Sequence, residues 1–352
     1  MGMEAEAAVE VIIVGAGPAG LATSTCLNLR NVSNIVLEKD DCSGSLWKKR
    51  SYNRLKLHLA KEFCQLPHMP FPKETPRYVP RDSFIQYLDD YVSHFGIAPR
   101  YQRMVESASF DVETGKWCVV VKNTRRDVEE VYYGEFLVVA TGENSEGFVP
   151  RLKGLESFEG VLMHSSLFKN GEEFDGKDVL VVGSGNSGME IAYDLSNNWN
   201  ANTSICVRSP VHVLTKEIVF IGMVMLKFLP LKLVDKMTTT LGRLKHGNIS
   251  KFGIEKPKHG PFYLKAKTGQ SPTIDVGCID KVKTGDIRVF PAVSSIEGDK
   301  IKFDNGKIKH FDVIIFATGY RSTVKKWLKQ NFQNIGKGRT VFTVLDSRVE
   351  DC

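Results

Sequence analysis

Two unbroken apolar runs stand out in the hydropathy pattern, Val11-Ile12-Ile13-Val14 and Val179-Leu180-Val181-Val182. Continuous β-branched runs of this length predict strands buried on both faces of a parallel sheet; a strand with one wet face would alternate. Each run leads through a glycine-rich turn into apolar positions at helical spacing, Leu21 to Leu29 and Met189 to Leu195. Further strands are predicted at Ile35–Leu37, Trp117–Val121, Phe136–Ala140, Ser204–Val207 and Val313–Ala317. Alternation and turn residues between Asp111 and Tyr133 predict a small antiparallel meander. Asn305-Gly306, between Ile301–Phe303 and Lys307-Ile308, predicts a hairpin.

Strands alternating with helices in this way specify an α/β chain. The expected architecture is two doubly wound Rossmann-like dinucleotide-binding domains, the second inserted in the first. The pattern puts the first domain at 8–168, the second at 169–292, a segment returning to the first domain at 293–330 by way of the strand ending at Ala317, and an atypical tail at 331–352.

The two turns have one design. The first is Gly15-Ala16-Gly17-Pro18-Ala19-Gly20 and the second is Gly183-Ser184-Gly185-Asn186-Ser187-Gly188. In such a loop one glycine makes the tight turn, the next lets backbone approach a pyrophosphate, and the third lets the helix pack on the strand. The phosphates then rest on the unpaired amides of the helix N-terminus. One such motif is weak. Two, each between a strand and a helix, predict two dinucleotide sites.

The residue ending the next strand distinguishes the sites. Glu38 closes Ile35-Val36-Leu37, and a carboxylate there accepts from ribose hydroxyls and repels a 2′-phosphate, as FAD or NAD requires. Arg208 closes Ile205-Cys206-Val207, and a guanidinium there pairs with a 2′-phosphate, so the second site is expected to prefer NADPH. A flavin and an NADPH on one chain mean electron transfer.

Charge and composition narrow the class further. A net charge of +6, from 47 basic and 41 acidic dispersed residues, is too modest to point to nucleic acid. Seven scattered cysteines without a C-x-x-C pair suggest neither a zinc site nor a disulfide framework, so no metal is expected and a reducing, cytoplasmic setting is. A first strand near Val9 leaves no space for a signal peptide. The stretch Ile218–Val234 is strongly apolar, but Lys227, Pro230 and Lys232 interrupt it. It predicts a buried or cleft-covering helix and no firm membrane segment, with peripheral association at the endoplasmic reticulum as the alternative.

Three more motifs carry a resemblance. Phe158-Glu-Gly160-Val-Leu-Met-His164-Ser-Ser-Leu-Phe168 is similar to the F-x-G-x-x-x-H-x-x-x-[FY] signature of class B flavin monooxygenases, and Ala140-Thr-Gly-Glu-Asn144 and Phe316-Ala-Thr-Gly-Tyr320 to their paired A-T-G elements. Ser45-Leu-Trp47, Leu55-Lys-Leu-His-Leu59, Phe63-Cys-Gln-Leu-Pro67, Gly185–Glu190 and Gly260-Pro-Phe262 make the chain resemble the plant YUCCA family more closely, over about residues 8 to 328. That resemblance implies an NADPH- and O2-dependent oxidative decarboxylation of the 2-oxo acid indole-3-pyruvate to indole-3-acetate through a peroxyflavin, in auxin synthesis. It implies His58 as a catalytic group beside the flavin or NADP+, Trp47 as a cover for the flavin ring, and the stretch around His164 as an interdomain hinge. Lys265, Lys267 and Arg321 are the candidates for the substrate carboxylate. The resemblance stops after Trp327-Leu328, where the family continues with a G-L-Y-x-x-G-F strand beside the flavin, and a C-terminally altered, inactive form or an N- or S-oxygenating enzyme are the alternatives.

Overall fold

The computed structural model describes residues 9–329, together with the backbone of 4 and 5. The expectations about the tail at 331–352 fall outside the described residues. Within these bounds the chain forms two compact units. The first is made of residues up to 50, 61–146 and from 320 onward, the second of 51–60 and 147–319.

In the first unit the sheet runs, in spatial order, Asn34–Leu37, Val9–Val14, Val128–Val139, Lys116–Asn123 and Arg103–Asp111. The first three strands are parallel and the last two complete an antiparallel meander. The meander and the strand read at Phe136–Ala140 are one continuous piece. Val128–Val139 pairs antiparallel with Lys116–Asn123 along its first half and parallel with Val9–Val14 along its second, so a single strand joins the two motifs. Helix Pro18–Asn28 begins on Pro18, whose missing N–H suits a first-turn position. Ile12, Leu37, Ala108, Trp117, Val119, Tyr132 and Trp327 gather in the core of this unit.

The second unit holds a wholly parallel sheet, ordered Arg288–Phe290, Asn202–Cys206, Asp178–Val182, Val313–Phe316 and Val161–His164. Its central strands have no exposed face, which is why they read as unbroken apolar runs. Helix Asn186–Asn198 lies over it, with Met189, Ile191, Ala192 and Leu195 in the core. The predicted hairpin is present, Lys300–Phe303 pairing with Ile308–His310 through a turn in which Gly306 takes φ +80°.

Three expectations about boundaries are corrected here. Val313–Phe316 does not return the chain to the first unit, because it is inserted between Asp178–Val182 and Val161–His164; the return begins at Tyr320. The signature stretch 158–168, expected to link the two domains, is an edge strand of the second sheet with its flanks and lies within the second unit. Residues 51–60, read as part of the first domain, belong to the second unit, where Tyr52 is in the core and the amide of Asn53 bonds Lys169 O at 2.9 Å.

The apolar stretch from 218 folds as two helices, Lys216–Met225 and Leu231–His246, divided at Pro230. Thr215 caps the first by accepting from the amide of Ile218 at 3.4 Å. No helix among the described residues is long and apolar enough to cross a membrane.

Candidate functional site

The two glycine loops share the environment of each of their glycines. Gly15 and Gly183 take φ +111° and +119°. A Cβ at Gly15 would stand 2.5 Å from Ala140 O, and one at Gly183 would stand 2.3 Å from Ala317 O. Closer still, a Cβ at Gly20 would meet Gly15 O at 1.9 Å and one at Gly188 would meet Gly183 O at 2.0 Å. The middle glycines differ from these, since around Gly17 and Gly185 a Cβ would find nothing within 4 Å. Those two positions face open space over a helix start whose N-cap is extended and has no side-chain cap bond. Unpaired helix amides facing a space bounded by a residue without a side chain fit a pyrophosphate.

The A-T-G elements have a physical place in this design. Ala140 follows strand Val128–Val139, and Ala317 follows strand Val313–Phe316; each donates its amide to the strand that leads into the glycine loop of its unit, Val14 O at 2.9 Å and Val182 O at 2.8 Å. Each also supplies the carbonyl under the first glycine of the loop. The paired motifs are therefore the floors of the paired loops, a role the spacing alone did not reveal.

His164 links the remaining signature to the same floor. Its Nε2 bonds Gly319 O at 3.1 Å, and its Nδ1 accepts from the amide of Ser166 at 3.2 Å. Burial lowers its pKa, with the Gly319 carbonyl opposing. Gly160 has no room for a side chain, because a Cβ would stand 2.2 Å from Asp312 O.

Glu38 is buried, at 6% exposure. Its Oε2 accepts the amide of Ala16 at 2.7 Å and its Oε1 that of Asp40 at 3.0 Å, with Ser45 Oγ at 3.5 Å. The carboxylate therefore braces the first loop while keeping acceptor capacity for a further donor. Trp47, on the short helix Ser45–Lys49, is half-buried and meets the Phe84 ring edge-on at 4.7 Å. Arg208 is exposed; its Nε bonds Ser209 Oγ at 3.5 Å, and among the described residues it has no carboxylate partner. A guanidinium left without an acid beside an open glycine loop is available to an anion.

His58 is the residue whose surroundings differ most from expectation. Its Nε2 lies 2.8 Å from Glu190 Oε1 and its Nδ1 lies 3.2 Å from Asn186 Nδ2, both on helix Asn186–Asn198. Both ring nitrogens are engaged within the second unit. A bond toward a flavin would require releasing one of them. Lys265 and Lys267 are exposed, the former bonding Gly269 O at 3.3 Å, and Arg321 is exposed too.

Known proteins give this geometry a family. The profile of the flavin-binding monooxygenase-like family matches residues 8–342. The chain belongs to that family. It is 52% identical over 320 residues to the probable indole-3-pyruvate monooxygenase YUCCA10 of Arabidopsis thaliana, covering 91% of this chain and 83% of that one. It is 47% identical to the indole-3-pyruvate monooxygenase YUCCA1 of Oryza sativa subsp. japonica, over 90% and 78% of the two chains. In fold it is similar to the flavin-containing monooxygenase from Stenotrophomonas maltophilia (TM-score 0.67, 20% identity, 92% and 82% covered). It is similar also to the cyclohexanone monooxygenase from Rhodococcus sp. Phi1 bound to NADP+ (TM-score 0.69, 16% identity, 91% and 73% covered). The expected fold class, a doubly wound α/β chain with two dinucleotide-binding units, stands.

Proposed function

We propose that this flavin monooxygenase converts indole-3-pyruvate to indole-3-acetate, using NADPH and O2. The reading is supported by the names of the relatives and, within the chain, by one observation above the others: two open glycine cradles with the same glycine geometry, one braced by a buried carboxylate and the other followed by a guanidinium that has no carboxylate partner among the described residues. Each turnover consumes one 2-oxo acid, one NADPH, one O2 and one proton, and yields the acid one carbon shorter, CO2, NADP+ and water.

FAD, when bound, would supply hydride acceptance and oxygen activation, so the residues need no strong acid or base of their own. Their work is binding and orientation. Gly15, Ala16, Gly17, Pro18, Ala19 and Gly20 would receive the FAD pyrophosphate on the start of helix Pro18–Asn28, and Glu38 would take a ribose hydroxyl with its remaining acceptor capacity. Trp47 would lie along the flavin ring. Gly183, Ser184, Gly185, Asn186, Ser187 and Gly188 would receive the NADPH pyrophosphate, and Arg208 the 2′-phosphate. The first unit is thus assigned to FAD and the second to NADPH.

The test is a product balance on the purified chain with FAD. NADPH oxidised, CO2 released and indole-3-acetate formed should agree one to one by mass spectrometry. Sulfoxide formation from a thioether without decarboxylation would overturn the substrate, and failure to retain any flavin would overturn the enzyme.

For location we propose contact with an anionic membrane surface through the helix pair. Leu233, Met237, Leu241 and Leu244 recur at helical spacing on one side of Leu231–His246, and Phe228 and Leu244 are 79% and 77% exposed. Exposed Lys232, Lys236, Arg243 and Lys245 flank them, and the one acid of the segment, Asp235, is buried and accepts the amides of Phe262 and Tyr263 at 2.8 and 3.1 Å. Along Leu231–His246 an apolar stripe beside cations, with no exposed acid on that helix, suits an acidic lipid headgroup layer. Co-flotation with phosphatidylserine vesicles, lost in Phe228→Asp with Leu244→Asp, is expected; equal recovery of both proteins with the vesicles would reject the contact.

A further inference from the structure

We infer that Glu190 and His58 are positioning residues that brace the second glycine loop through Asn186, a role that rests on the assignment of that loop to NADPH. The hydrogen-bond chain has only one consistent polarity. Asn186 Oδ1 accepts the amide of Ile274 at 2.7 Å, which makes Nδ2 the donor toward His58. His58 Nδ1 must then be the acceptor, and the ring proton sits on Nε2, facing Glu190 Oε1 at 2.8 Å. Glu190, at 3% exposure, thereby sets the tautomer of His58, and His58 sets the orientation of the Asn186 amide.

The reason for such a brace lies in the difference between the two loops. In the first, Glu38 at the end of the adjacent strand takes the loop amide of Ala16 directly. In the second the residue in register with Glu38 is Val207, whose apolar side chain has no acceptor to offer, and Arg208 follows it. The second loop therefore lacks the side-chain support that Glu38 gives the first. The loop is held from the other side instead. Thr273 Oγ1 donates to Ser184 O at 2.9 Å, and Asn186 is pinned between Ile274 and His58. Asn186 is the first residue of helix Asn186–Asn198, so its placement sets the amides that would meet a phosphate.

If His58 turned over to carry its proton on Nδ1, that N–H would confront the Nδ2 of Asn186. Relieving the clash by rotating the amide would set Nδ2 against the Ile274 amide, again donor to donor. The chain therefore has one arrangement, and it fails as a unit.

Binding of NADP+ to the flavin-loaded full chain, followed by titration calorimetry, tests this without turnover. His58→Leu keeps bulk but removes the acceptor, and should weaken NADP+ by about tenfold, the consequence of stranding a half-buried amide donor and freeing the loop residue that carries it. His58→Gln can accept from Asn186 and donate to Glu190, and should stay within about threefold. A packing role alone predicts the reverse order or no difference, and either result overturns the inference. Glu190→Gln, which preserves shape, serves where His58→Leu fails to fold, and should weaken NADP+ by about threefold to fivefold through loss of the charged acceptor; unchanged affinity would overturn the brace. Arg208→Ala separates the two layers of the argument. If it weakens NADP+ while His58→Leu does not, the brace is wrong; if neither does, the assignment of the loop falls with it.

Discussion

At single positions the chain shows how one side chain can do two jobs, and how giving up one of them has to be offset nearby. Glu38 both supports its loop and keeps capacity for a ribose hydroxyl. In the second unit Val207 stands in register with Glu38 and cannot do the first, and Arg208 comes next along the chain. Its expected contribution is to cofactor choice: Arg208→Ala should lower the preference for NADPH over NADH by about tenfold to a hundredfold, the worth of one charge-assisted pair with a phosphate. Steady-state kcat/KM with both nucleotides measures it, and an unchanged ratio would remove Arg208 from the site. Another buried pair is structural. Arg103 grips the fully buried Glu130 with Nε–Oε2 at 3.0 Å and Nη2–Oε1 at 2.9 Å, while Tyr132 and Asn123 donate to the same carboxylate at 2.6 Å each. Burial pushes the Glu130 pKa up, and these donors together bring it below its ordinary value. Arg103→Met strands that charge and should destabilise the chain by about 3–5 kcal/mol. A calorimetric melt within error of the parent would contradict this account.

Among the elements, the repeated strand–loop–helix unit is what organises the molecule, and its tolerances are measured by its glycines. A methyl group at Gly20 or Gly188 has nowhere to go, since the carbonyl of the loop's own first glycine stands at 1.9 or 2.0 Å. Gly20→Ala should therefore loosen the first loop and lower flavin retention, whereas Gly188→Ala should weaken NADP+ and leave flavin content near that of the parent, because the two faults lie in different units. Overpacking of this kind costs about 1–3 kcal/mol. Absorbance of bound flavin and NADP+ titration read the two effects, and a loss of both ligands in either variant would show that the units are not separable. Much of this was legible in the sequence. The apolar runs, both loops, the Asn-Gly hairpin and the meander all follow from local periodicity and turn chemistry. The floor provided by Ala140 and Ala317 was not, because that contact joins residues far apart in sequence.

For the whole molecule, the consequence most open to measurement is its response to acid. His164, His212 and His246 are all held with pKa values below their ordinary 6.5, chiefly by burial. In each the neutral form is favoured by folding, so the unfolded chain binds protons more readily below that value. The stability they contribute is present above about pH 6.5 and lost as pH falls below it. The melting temperature should drop between about pH 7 and about pH 5. A melting temperature that held or rose toward acid would be incompatible with three buried neutral histidines. His212 shows the balance plainly: burial lowers its pKa, and the bond between Nε2 and His259 O at 2.6 Å opposes that shift.

What the sequence determined by itself was everything encoded at short range: two buried strands, two glycine loops, an acid at one strand end, a guanidinium at the other, and hence two kinds of dinucleotide. These are local properties, since a strand, a tight turn and a helix start are each specified within a few residues. Tertiary structure decided the rest. It placed Val313–Phe316 in the second sheet, turned the signature around His164 into an edge strand, and carried residues 51–60 into the second unit so that His58 meets Glu190 and Asn186. Parallel neighbours are chosen by sheet closure and core packing, which no window of sequence contains. The direction of a hydrogen-bond chain, likewise, exists only once all its members are assembled.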